Sequence, residues 1–177
     1  MTQRIEEILC CLDGEMNALR ATVDRVPEAL HQQRPAPDRW SVAEVLEHLG
    51  AVEATILKAC IRQLAAARER GLGAETDTSS VLHTLSLERV AARDTRITAP
   101  ETLRPKGMTA SAAWVEIETV RGRFKEFIVT SGGLALGDVV FPHPVLGPFN
   151  LYQWFLFAAG HHARHAAQIR EIAEQLS

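Results

Sequence analysis

The stretch Asp38–Gly50, DRWSVAEVLEHLG, carries the clearest structural instruction in the chain. Ser41 suits a helix N-cap, and Glu44 falls at the third helical position. That is the S-x-x-E capping box, in which each side chain bonds the other residue's backbone N–H. Trp40 before the cap and Val45 at the fourth position form the matching hydrophobic staple. A helix that starts here runs to about Arg70, where Gly71-Leu72-Gly73 ends it.

Outward from this anchor the chain reads as further helices separated by breaks. A first helix covers about Thr2 to about Asp24, with Ile5, Ile8, Leu9, Leu12, Met16 and Leu19 at helical spacing. Pro27 and the RPAPD run (Arg34–Asp38) interrupt the chain after it. Residues 71–108 are less regular: a short helix fits about Leu85–Arg93, and Pro100 and Pro105 mark loop. A third long helix fits about Thr109 to Thr130, with Trp114, Ile117, Val120, Phe124 and Ile128 on one side.

The stretch SGGLALGDVVFPHPVLGPFN that follows is rich in Gly and Pro and reads as a loop. Loops of that length are usually functional or disordered, and the apolar content of this one argues that it packs. The last long helix repeats the grammar of the second: Asn150 as cap, Gln153 as its partner, Phe149 and Trp154 as staple. It runs nearly to Ser177. With no run of alternating strand residues, the expected fold is an all-α four-helix bundle. It forms one domain over residues 1–177, with 71–108 as a decorated crossover.

Composition excludes several function classes. Apolar residues make up 46%, charged residues 23%, and the net charge is −3. No basic run carries interleaved aromatics, so no nucleic-acid or anionic-membrane partner is expected. The start, MTQRIEEILCCLDGEM, mixes acids into its apolar residues and does not read as a secretory leader. The run WFLFAAG is too short to span a bilayer, and a cytoplasmic protein is expected. Cys10, Cys11 and Cys60, odd in number and two of them adjacent, read as reduced thiols. Serine-hydrolase, phosphate-cradle and dinucleotide motifs are absent.

The chemistry-bearing feature is GHHARHAAQIREI, Gly160–Ile172. Each residue advances about 100° around a helix. Leu151, Trp154, Ala158, Ile169, Ile172 and Leu176 then define one apolar stripe. His161 and His165 fall within roughly 40° of its centre, and His162 lies roughly 60° off. An i, i+4 histidine pair projects two imidazoles side by side, close enough to share a metal ion. A third ligand should come from a facing helix, and His48, at the margin of the second helix's apolar stripe, is the best candidate. Glu44 is already explained by the capping box. His31 and His83 sit in polar contexts and read as solvated, while His143, in the Gly/Pro loop, is placed to close over a site.

Three segments together resemble the DinB-like superfamily: W-S-x-x-E-V-L-x-H-L at Trp40–Leu49, H-P-x-x-G…W from His143 to Trp154, and H-x-x-x-H-x-x-Q-I at His161–Ile169. The resemblance implies an up-down-down-up four-helix bundle, often homodimeric. It also implies a divalent metal on one histidine of the second helix and two of the fourth. The matching positions are His48, His161 and His165, with His162 as an alternative to His161. Zinc, nickel or iron would suit such ligands. Characterised relatives include mycothiol-dependent maleylpyruvate isomerase and bacillithiol transferases. The resemblance therefore implies a metal-dependent enzyme of thiol-transferase or hydrolase type, acting on a small-molecule substrate, with a low-molecular-weight thiol as a candidate cosubstrate. Three protein ligands leave a position open, as catalytic sites do. A fourth protein ligand would instead favour a non-catalytic module that binds a small ligand or another protein and whose metal is structural or sensory, and the sequence offers no clear fourth ligand.

Overall fold

The computed structural model describes residues 1–94 and 98–176; residues 95–97, within the expected crossover, and Ser177 lie outside the described residues. Its α-helices are α1 (Gln3–Val23), α2 (Val42–Glu69), the short α3 (Leu87–Ala91), α4 (Ala110–Ser131) and α5 (Leu151–Leu176). A hairpin of two strands, β1 (Val140–His143) and β2 (Gly147–Asn150), precedes α5. The helix starts obey the local grammar. Ser41 Oγ accepts from the Glu44 N–H and Glu44 Oε2 accepts from the Ser41 N–H. Asn150 and Gln153 exchange the same pair of bonds at the start of α5.

Two packed clusters reveal the direction of each long helix. One joins Ile5, Ile8 and Leu12 of α1 to the second half of α2, the second half of α4 and the first half of α5. The other joins Leu19 and Val23 to the first halves of α2 and α4 and the second half of α5. So α1 and α5 run one way and α2 and α4 the other, which is the up-down-down-up order. The segment between α2 and α4 must therefore travel the full length of the bundle.

Side chains stitch that crossover down. Arg4 Nη1 donates to Glu75 at 2.8 Å and Arg4 also pairs with Asp77, while Glu7 accepts from the Ser80 hydroxyl and the Val81 N–H. At the far end, the Glu47 carboxylate accepts three backbone N–H bonds, from Lys106, Gly107 and Met108. Midway, α3 lies directly on α5. A Cβ on Gly160 would meet the side chain of Val90 at 2.9 Å, so the close approach needs glycine at that position.

A polar layer divides the two clusters. Glu53 of α2, Arg121 of α4 and His162 of α5 are 2%, 4% and 1% exposed. Arg121 Nε pairs with Glu53 Oε1 at 2.8 Å, Arg121 Nη1 donates to the Leu12 carbonyl at 3.0 Å, and His162 Nε2 lies 3.0 Å from Glu53 Oε2. The layer is one buried ion pair plus one imidazole, tied to three of the long helices and to the backbone of the fourth.

The segment read from sequence as a loop is thus partly a hairpin. Its strands are four residues long and each holds a proline, so the alternation signal is too short to read. Pro142 faces Pro148 across the ladder, so both missing donors fall at one non-hydrogen-bonded pair. Phe141 stacks on Trp154 at 4.7 Å, and Phe149 meets the same ring at 5.6 Å. The hairpin, α3 and α1 together enclose the first half of α5, which is why that half is apolar nearly all round.

Candidate metal centre

His48 sits in the second turn of α2, just beyond the capping box that fixes where the helix begins. His161 and His165 sit one turn apart on α5, and α2 packs against α5 along this level of the bundle. The three side chains each present a ring nitrogen, and these atoms lie within 4.8 Å of one another. Ring centroids are 5.4 Å apart for His48 and His161, 5.0 Å for His48 and His165, and 4.5 Å for His161 and His165. Among the described residues this is the one group of three or more His, Cys, Asp or Glu side chains so arranged.

Burial and anchoring suit neutral ligands. His48 and His165 are each 6% exposed, and His161 is half-buried. Burial pushes the pKa of all three below the ordinary histidine value, that of His161 and His165 well below it; for those two the neighbouring imidazoles add to the effect, whereas for His48 the bond to the Leu103 carbonyl opposes it. His48 Nδ1 lies 2.8 Å from the Leu103 carbonyl, which can only accept. His48 therefore carries its proton on Nδ1 and leaves Nε2 as a lone pair. His165 Nδ1 lies 2.8 Å from Gln168 Oε1. Nε2 of His165 and Nε2 of His161 are 3.1 Å apart. Two nitrogens bound to one zinc-sized ion at about 2.0–2.1 Å stand roughly 3–3.4 Å from each other, so that spacing fits a shared ion.

The other histidines stand elsewhere. His162 is turned away from the group by Glu53, and the Arg121 Nη2 lies 3.3 and 3.2 Å from its two ring nitrogens. The same helical turn thus sends His161 to the cluster and His162 to the buried polar layer. His143 packs on Phe157 at 4.5 Å, and Phe157 stacks on His161 at 5.5 Å, so the hairpin histidine is one aromatic ring removed from the cluster. His83 is exposed as expected, whereas His31 is half-buried, with Nε2 2.9 Å from the Val26 carbonyl. Glu44 is held by the capping box and by Arg34. Sequence reasoning missed Leu103 and Gln168, which bond the rings of His48 and His165, and also Glu53 and Arg121. A carboxylate and a guanidinium at the core-facing positions of α2 and α4 were the signals available for the last two.

Among the described residues no helix is long and apolar enough to cross a membrane. Comparison with known proteins agrees with the architecture. The crystal structure of TT2238, a four-helix bundle protein, aligns with a TM-score of 0.57 at 20% identity, covering 94% of this chain and 98% of that one. The uncharacterized protein YuaE of Bacillus subtilis (strain 168) is 29% identical over 148 residues, which are 81% of this chain and 83% of YuaE. The sequence profile of the DinB superfamily matches residues 12–169. With that match spanning nearly all of the bundle, the chain belongs to the DinB superfamily.

Proposed function

We propose that the protein holds one divalent transition metal through Nε2 of His48, His161 and His165 and uses it on a small-molecule substrate. The observation that carries this reading is the 3.1 Å approach of the two Nε2 atoms on α5, with the Nδ1 of His165 engaged elsewhere. An all-imidazole donor set favours zinc, nickel or iron over magnesium or calcium, which prefer oxygen. Among the described residues no fourth His, Cys, Asp or Glu joins the three, which favours an open coordination position.

A metal in such a position acts as a Lewis acid and lowers the pKa of a water or thiol that reaches it. The chain's own residues do the rest. Leu103 and Gln168 hold protons on the Nδ1 atoms of His48 and His165, so those rings face the centre as neutral donors. Trp40, 4.9 Å from His48, and Phe157, stacked on His161, pack beside the rings and limit how they can turn. The reaction classes that follow are thiol transfer to an electrophile and hydrolysis, with a low-molecular-weight thiol as cosubstrate in the first.

The test is a pair of assays on zinc- or nickel-loaded protein beside its His48→Ala variant. One follows loss of free cysteine thiol with an activated aryl halide, and the other follows release of nitrophenol from an activated ester. Turnover in either assay that disappears in the variant is the expected result. Equal rates with and without the triad in both assays would rule out this catalytic reading.

A further inference from the structure

The orientation of His165 is set by a chain of contacts that leads out of the helix and into the crossover. Arg93, just after α3, donates to Glu171 through Nε at 2.7 Å and Nη2 at 2.9 Å. Its Nη1 lies 3.4 Å from Gln168 Oε1. A guanidinium can only donate, so the atom that Gln168 turns toward it must be the amide oxygen rather than the amide nitrogen. That same oxygen lies 2.8 Å from His165 Nδ1, which must then be the protonated nitrogen. The lone pair of His165 is left on Nε2, the atom that faces His161.

We infer that Gln168 is the positioning residue that keeps His165 in its metal-binding tautomer, with Arg93 fixing the direction of the Gln168 amide. The assignment rests on the three-histidine reading above for its metal consequence, but not for its tautomer consequence. It gives the crossover a second task. The backbone carbonyl of Leu103 sets the proton on His48, and the side chain of Arg93 sets it on His165 through one intermediary. Both buried ligands of the cluster are thus aimed by residues that arrive with the long connection between α2 and α4. A ligand histidine whose second nitrogen is bonded in this way is fixed in ring orientation and made a better donor.

The experiment compares wild type, Gln168→Leu and Gln168→Glu. Glutamate keeps an oxygen for His165 Nδ1–H and for Arg93, whereas leucine keeps the volume and removes both bonds. Long-range nitrogen–proton NMR on the metal-free proteins reads the His165 tautomer, and chelator competition reads zinc affinity. The expected result is an Nδ1–H tautomer in wild type and in Gln168→Glu. Gln168→Leu should populate Nε2–H and bind zinc about 10- to 100-fold more weakly, with the glutamate variant within a few-fold of wild type. Wild-type affinity and an Nδ1–H tautomer in Gln168→Leu would overturn the assignment, as would a glutamate variant no better than the leucine one. If wild type binds no zinc, the metal reading falls and the tautomer alone decides. Loss of Nδ1–H in Gln168→Leu would then still support the role, and its retention would still overturn it.

Discussion

Nε2 of His161 and Nε2 of His165 approach to 3.1 Å across one turn of α5, and among the described residues neither ring is paired with an acid. Two neutral imidazoles accept this approach with a single proton or a single cation between them. Two protonated ones do not. The consequences extend to pH, to packing and to metal affinity.

Stability should fall as the solution is acidified through the histidine range. His48, His161, His162 and His165 all have folded-state pKa values below the ordinary one, chiefly through burial. Below about pH 6.5 the unfolded chain takes up protons at these positions and the folded chain resists them. The unfolded state therefore binds more protons, so stability is lost as pH falls from about 6.5 toward the folded pKa values and is level above it. Urea midpoints at pH 7.5 and 5.5 read this directly, and His165→Gln should flatten the difference. Equal midpoints at both pH values would contradict the burial argument.

The polar layer predicts opposite effects for single and concerted changes. Arg121→Met leaves Glu53 charged and buried without its partner, and should destabilise by about 3–5 kcal/mol in denaturant unfolding. The combination Glu53→Leu, Arg121→Met, His162→Leu removes every member of the layer at once and should recover most of that loss. A single variant as stable as wild type would mean that water reaches the layer.

Gly160→Ala should destabilise by about 1–3 kcal/mol, because its Cβ would stand 2.9 Å from Val90. Val90→Ala should recover part of the loss when combined with it, and a thermodynamic double-mutant cycle measures that coupling. Strict additivity would show that α3 does not rest on α5 at this point.

The helices were legible because their signals are local. The Ser41–Glu44 box, the Asn150–Gln153 box and the apolar spacing of α1 and α4 all lie within one or two turns of the feature they specify. His161 and His165 were legible for the same reason, since an i, i+4 spacing already implies their proximity. His48 was harder, placed at the margin of an apolar stripe by periodicity and buried in fact, because the crossover covers that side of α2 through Leu103 and through the Lys106–Met108 backbone that Glu47 holds. The hairpin escaped notice because two four-residue strands carrying Pro142 and Pro148 lack a period. Arg93 and Gln168 lie 75 residues apart, and no local pattern connects them. What sequence could not supply is pairing across the long connection, where the second layer of the site is made.

Metal content tests the three-histidine centre most directly. Untagged wild type and His161→Ala, purified in parallel and incubated with zinc, nickel or iron before removal of loose ions, are compared by elemental mass spectrometry. About one transition metal per chain in wild type, absent from the variant, is the expected result. No bound metal in wild type under any of these conditions, or the same stoichiometry in both proteins, would contradict the centre.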